Sequence, residues 1–196
     1  MTICKVTIEG TRPLLMHNGR LADPLDQATK KLSAAAKKKN KSDDEIAEVG
    51  RLEFVGSLYH DAKLGPYLPV DNLQAMLIEG ARKRKMGKDF ESLIEVMEPP
   101  GFDGYKLDYK GPRDLDGLWS REEFRLRKQA RVGQSRVMRT RPRFPKGWSC
   151  KFEIEILEDG PDAEHVERAL ADAGRLIGIG DWSPRYGCFA VTEFKT

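Results

Sequence analysis

The sequence predicts an α+β protein of the ferredoxin-like or RRM-like kind, a split βαβ antiparallel sheet with two helices on one face. Three observations predict it. Residues 3–10 and 148–157 alternate apolar and polar side chains, as half-buried strands do. Apolar residues recur at three- and four-residue intervals after Asp71 and again after Pro161, as amphipathic helices require. With the less regular stretches set aside, the periodic segments run strand, helix, strand, strand, helix, strand. One domain over residues 1–196 is expected, with long insertions after the first strand and the first helix. The first insertion is a helical segment at 14–50, the second an irregular one at 87–130.

The first strand sets Cys4, Val6 and Ile8 against Ile3, Lys5, Thr7 and Glu9, and Thr11-Arg12-Pro13 ends it. Residues 21–48 are small, charged and helix-forming, which predicts two short helices around the basic loop at Lys37-Lys38-Lys39. Ser42 with Glu45 three positions on is a capping box. Residues 51–58 and 67–70 are expected to be short strands joined by a turn at Gly65-Pro66. Asp71 opens a helix whose apolar stripe is Leu73, Met76, Leu77, Gly80 and Ala81. It runs out in Arg82-Lys83-Arg84-Lys85 before Gly87, where cations suit the helix dipole. Residues 90–118, rich in Gly, Pro, Asp and Tyr, read as irregular, and 120–128 as a short helical turn. Strands follow at 132–140 and 148–157. A helix with Val166, Ala169, Leu170, Ala173 and Leu176 on its apolar face comes next, then a glycine-rich loop and a last strand at 186–194. Two helices on one face leave the other face of the sheet open to a partner, as RNA-recognition modules do.

Composition narrows the function classes. Charged residues make up 33% of 196 positions while the net charge is only +3, so the placement of charge matters more than its sum. Cys4, Cys150 and Cys188 are odd in number and widely spaced in apolar runs. That fits buried thiols in a reducing compartment rather than a disulfide framework. No CxxC or HxxxH pair occurs, so neither a metal site nor a cofactor is expected. Nothing resembles a cleavable leader and no apolar run approaches ~18 residues, so a cytoplasmic protein without membrane contact is expected.

Positive charge is densest at residues 121–146. Arg121, Arg125, Arg127, Lys128, Arg131, Arg136, Arg139, Arg141, Arg143 and Lys146 crowd this stretch against only Glu122 and Glu123. Closely spaced cations match a nucleic-acid backbone, and arginine adds two-pronged phosphate contacts. Arg139, Arg141 and Arg143 alternate, so on an extended chain they share one face. Phe144 and Trp148 lie among them, either as stacking rings for single-stranded bases or as core. The second feature is the loop from Gly178 through Gly180, Trp182, Arg185, Tyr186 and Gly187 to Phe189. Glycines let backbone amides approach a phosphate, Arg185 adds charge, and Trp182 and Tyr186 add ring surface. A tight structural loop with Trp182 plugging the core is the other reading.

Gly178-Ile179-Gly180 followed by Gly187-Cys188-Phe189 resembles the glycine-rich loop of the RAMP superfamily of CRISPR-associated proteins. Phe189 stands where that loop has its final glycine. The segment Leu68-Pro69-Val70-Asp71-Asn72-Leu73-Gln74-Ala75-Met76-Leu77 resembles the start of the first helix in Cas7-like backbone subunits of CRISPR effector complexes. The resemblance implies a stand-alone subunit, carried by a phage or other mobile element. It would bind single-stranded RNA more readily than DNA in a basic groove, without cleaving it, and would form a homo-oligomer or filament along the strand. Residues 14–50 would be a thumb-like segment, its part from Leu14 to Asn40 acting as a clamp. Backbone contacts are implied at Asn72, Gln74, Arg82, Arg84, Gly178, Gly180 and Arg185. Joined to the basic stretch, the expected binding set also holds Arg136, Arg139, Arg141, Arg143, Lys146, Trp148, Trp182 and Tyr186.

Two other readings stand beside this one. In a RAMP-like endoribonuclease, His17, just after the first strand, would be a general base, or Asp23 or Asp26 would serve a metal-dependent cut. Ordinary turns explain the two aspartates as well. In the other, the protein binds CRISPR effector subunits and blocks or mimics one of them.

Overall fold

The computed structural model describes residues 1–196, with the backbone alone of Val132. β1 (Thr2–Gly10) sends Cys4, Val6 and Ile8 into the core and is followed by the short β2 (Leu14–Leu15). α1 (Gln27–Lys37) starts on the Asp26 carboxylate, and α2 (Asp43–Ser57) starts on the Ser42–Glu45 capping box. Of residues 51–58, expected as a strand, all but the extended cap residue Leu58 continue α2 instead. Leu52, Phe54, Val55 and Leu58 resemble a strand by composition. A capped helix carries through Ser57 because Glu53, Phe54, Gly56 and Ser57, three and four residues apart, fall on one buried side.

A small hairpin, β3 (His60–Asp61) and β4 (Gly65–Pro69), leads into α3 (Val70–Arg82). The stretch expected to be irregular contains α4 (Gly87–Leu93), β5 (Ile94–Val96), β6 (Gly104–Asp108) and α5 (Leu115–Ser120). Residues 125–144 then form a two-stranded hairpin, β7 (Arg125–Val132) and β8 (Ser135–Phe144). β9 (Ser149–Ile156), α6 (Ala163–Asp172) and β10 (Phe189–Lys195) complete the chain.

The main sheet is ordered β10-β1-β9-β6-β4-β3, and β5 also pairs with β9. β5 takes the Ile154–Ile156 end of β9, while β6 pairs with Ser149 and Cys150, so the two share one lane. The split βαβ core is therefore β1, α3, the β5/β6 lane, β9, α6 and β10, joined by antiparallel pairs. This is the ferredoxin-like fold. Its second strand is not residues 132–140, which run from the end of β7 through the turn into β8, in a separate three-stranded sheet ordered β2-β8-β7.

α3 and α6 pack together over the core. Leu73, Met76 and Leu77 on one helix and Val166, Ala169 and Leu170 on the other are all buried. A Cβ at Gly80 would stand 2.4 Å from the Ala169 carbonyl oxygen, so the helices meet this closely only because position 80 is glycine. Among the described residues, no helix is long and apolar enough to cross a membrane.

Candidate nucleic-acid interface

The basic stretch folds back on itself. From Phe124 to Phe152 the chain has no acidic residue. The hairpin turns through Gly133-Gln134, with Val132 opposite Ser135 and Gly133 at φ +59°. A two-residue hairpin loop favours glycine at its first position when that residue has positive φ. Residues 120–128 were expected to be a helical turn. Beyond Ser120, which ends α5, only residues 122–124 are helical, as one 3₁₀ turn, and Arg125 already lies in β7. Arg127, Arg131 and Arg136 are exposed on the hairpin, and none of them makes an ion pair among the described residues.

Nearer its base the hairpin is anchored. Arg141 is 7% exposed and Glu53, on α2, 5%. The Arg141 Nη1 donates to Glu53 Oε1 at 2.9 Å, and its Nε donates to Asp181 Oδ2 at 2.8 Å. Arg139 reaches the same Glu53 oxygen at 3.2 Å, and the Thr140 amide donates to the other at 2.9 Å. One carboxylate thus binds α2 to β8, and Arg141 carries the tie on to the glycine-rich loop. Two guanidiniums face two carboxylates, so the buried cluster is neutral in sum. Arg139 and Arg141 were expected to meet phosphate. Arg141 is buried with its Nε and Nη1 already given to carboxylates, and Arg139 shares its charge with Glu53.

The glycine-rich loop is also built largely from its own contacts. The amides of Gly178, Ile179, Asp181 and Gly187 donate to Ala173, Gly187, Leu15 and Pro13 carbonyls at 2.8–3.0 Å. Four of the amides expected to cradle a phosphate therefore hold the loop instead. Gly187, at φ +72°, has no room for a side chain, because a Cβ would lie 1.7 Å from the Ile179 carbonyl oxygen. Gly180 alone of the three loop glycines is exposed. The rings of Trp182 and Tyr186 lie 6.2 Å apart and are half-exposed, so Trp182 does not plug the core. Trp182 and Arg185 line a shallow pocket of about 340 Å³ with Lys128 and Arg131 of β7. Hairpin and loop therefore meet in one cationic, partly aromatic trough.

A second pocket of about 340 Å³ lies behind the loop. Asn72 at the start of α3, Gly178 and Gly180, all expected contacts, line it together with His17, Tyr59 and Asp181. His17 Nδ1 is 3.5 Å from the buried Ser57 hydroxyl. Partial burial, and then the Arg141 guanidinium, hold the imidazole below its ordinary value. Asp23 and Asp26 lie elsewhere, and their carboxylates are engaged locally. Asp23 accepts from the Leu25 amide and Asp26 caps α1 through the amides of Ala28 and Thr29.

Several expected contacts fall outside both pockets. Trp148 is fully buried against Phe189, with its Nε1 donating to the Arg12 carbonyl at 2.9 Å. It cannot stack on a base, and Phe144 is likewise core. Gln74 bonds both Ile94 O and Val96 N, at 2.9 and 2.8 Å, and so pins β5 to α3. Arg82 pairs with Glu79 and Glu91, and Arg84 with Asp172 at 2.8 Å. Arg143 is half-buried opposite Leu15, and Lys146 is exposed in the turn before β9. The open face of the main sheet is no substitute. Its outward register positions hold Glu9, Glu95, Glu153, Glu155 and Glu193 against Lys5, Lys151 and Lys195. An acidic majority repels a phosphate backbone.

No known protein family and no curated protein matches the chain by sequence. Among solved structures, the fold is similar to a chain of the Type III-B Cmr-beta, seen by cryo-EM bound to cognate target RNA. The TM-score is 0.52 at 12% identity. That match takes in 99% of this chain but only 60% of the other, so this chain spans well under two thirds of its neighbour's length. The likeness is one of fold.

Proposed function

We propose that the chain binds single-stranded RNA, in preference to DNA, and does so without cutting it. The strand would lie in the trough between the hairpin tip and the glycine-rich loop. The observation that carries this reading is the meeting of Lys128, Arg131, Arg185 and Trp182 in one pocket, from segments more than 50 positions apart in the sequence. Cations follow a phosphate backbone while rings take bases of any sequence, which is the design of single-strand binders. The fold likeness to a chain of an RNA-bound assembly supports RNA over DNA, and supports reading the chain as a RAMP-type, Cas7-like subunit able to line up along a strand. Two of the three candidate catalytic groups, Asp23 and Asp26, already hold local turns, and the third, His17, faces a hydroxyl at 3.5 Å. That favours binding over cleavage.

The test uses a fluorescent oligouridine and the variant Lys128→Gln/Arg131→Gln/Arg185→Gln. Each cation withdrawn from a phosphate should lower the salt slope by about 0.7, so three should lower it by about 2 and weaken binding roughly a hundredfold at 0.1 M salt. The RNA should remain intact with and without Mg²⁺. Unchanged affinity in the triple variant would move the strand off the trough.

A further inference from the structure

On the far side of the hairpin base is a pocket of about 460 Å³ that the strand path leaves unused. Its walls are α2, which presents Ile46, Ala47 and Gly50, and the hairpin at Leu126, Arg127 and Thr140. Its floor is the Trp119 ring with the Arg125 guanidinium over it, 4.6 Å from the ring centroid. Trp119 is held from behind by Phe54, edge-on at 5.4 Å, and α5 is tied to α2 by Arg51 and Asp116 at 2.6 Å. The floor is thus a fixed aromatic and cationic surface. Arg125 Nε is buried without a hydrogen-bond partner among the described residues. At the rim stand Arg127 and Glu122, both exposed and neither paired with an opposite charge among the described residues.

We propose that this pocket is a nucleotide site with a preference for guanine. A flat heteroaromatic base fits the Trp119–Arg125 floor, as rings and guanidiniums stack on bases. The phosphate falls to Arg127, on the exposed side of β7. Glu122 is the one carboxylate lining the pocket, and a carboxylate only accepts hydrogen bonds. Guanine presents two adjacent N–H donors on its pairing edge. Uracil presents one, flanked by two carbonyl oxygens that a carboxylate repels. Volume agrees, since small-molecule sites run from about 300 to 1,000 Å³.

This site stands on different residues from the RNA trough, and the two can fail separately. The test is calorimetric titration of the full chain with GMP, AMP, CMP, UMP and inorganic phosphate. GMP should bind saturably and at least about tenfold tighter than UMP, the margin of one or two directed hydrogen bonds. Ala47→Phe, at an exposed helix position, should fill the mouth and abolish GMP binding while leaving oligouridine binding unchanged. Glu122→Gln should keep GMP binding but level the preference over UMP. The proposal is overturned if GMP does not saturate, if inorganic phosphate binds as well as GMP, or if the Ala47→Phe chain still binds it. Loss of oligouridine binding in the wild-type chain would count against the trough alone.

Discussion

Arg136 and Arg141 lie on the same strand five residues apart and have opposite fates. Arg141 is buried between Glu53 and Asp181, while Arg136 is exposed at the hairpin tip with no ion pair among the described residues. Along β8 the chemistry therefore changes from anchor to probe. At the base, arginine joins three separated segments through planar, two-sided hydrogen bonding that lysine could not reproduce. Towards the tip, arginines are held out in water on a two-stranded ribbon. A count of charges treats both ends alike. Their carboxylate partners, far off in the sequence, separate them.

The sharpest way to break this contrast is at Glu53. Glu53→Ala leaves Arg141 buried with only Asp181 and strips the Thr140 amide of its acceptor. Removing one partner of a buried pair costs about 3–5 kcal/mol, and urea unfolding should show that loss. Lys128→Gln/Arg131→Gln/Arg185→Gln, by contrast, should move stability by less than about 0.5 kcal/mol, as surface changes do. If the two variants unfold alike, the base is not an anchor. Neutralising Arg139, Arg141 and Arg143 together would confuse the two ends, since it would unseat the hairpin as well as remove charge.

Trp182→Ala sharpens the probe end. A base stacked on this ring should lose about 1–3 kcal/mol of binding, read by anisotropy with oligouridine. The ring is half-exposed and adjoins Arg185 and Lys128, so stability should change little. Trp148→Ala is the control in the opposite sense. It empties a fully buried site and should cost about 3–5 kcal/mol of folding before any effect on RNA.

The central strands and both core helices were legible because their burial is one-sided. β1 and β9 alternate, and α3 and α6 carry apolar stripes at helical spacing. The hairpin was not legible as a separate unit. β7 does alternate, with Leu126, Ala130 and Val132 against Arg125, Arg127, Gln129 and Arg131, but Lys128 interrupts its apolar side, the density of cations masks the pattern, and Gly133-Gln134 is a weaker turn signal than Asn-Gly. α2 was cut short because Leu52, Phe54 and Val55 are as common in strands as in helices. At the site, Asn72, Gly178, Gly180, Trp182 and Arg185 do come to the two pockets. Trp148 and Arg141 do not, because a sequence shows that a residue can stack or pair but not which partner takes it first. Glu53 had no local signal at all. An isolated glutamate in a helix looks like any solvated one until Arg141, 88 positions later, folds onto it.

The smallest effect tests how far the anchor's field extends. His17 lines the pocket behind the loop, and partial burial, then Arg141, lower its affinity for a proton, with Asp181 and Glu53 acting the other way. Its folded value therefore lies below the ordinary 6.5. The unfolded chain then binds the proton better than the folded one. Neutral His17 contributes full relative stability above about pH 6.5, and that contribution is lost as pH falls from there through the folded value. NMR titration of the ring protons should place His17 below that ordinary value. His17→Gln should flatten the fall in stability just below pH 6.5 and leave stability at pH 8 nearly unchanged. An ordinary midpoint for His17 would mean that water screens the imidazole from the cluster, and that the anchored end of the hairpin acts by holding position, with no electrostatic reach into the pocket beside it.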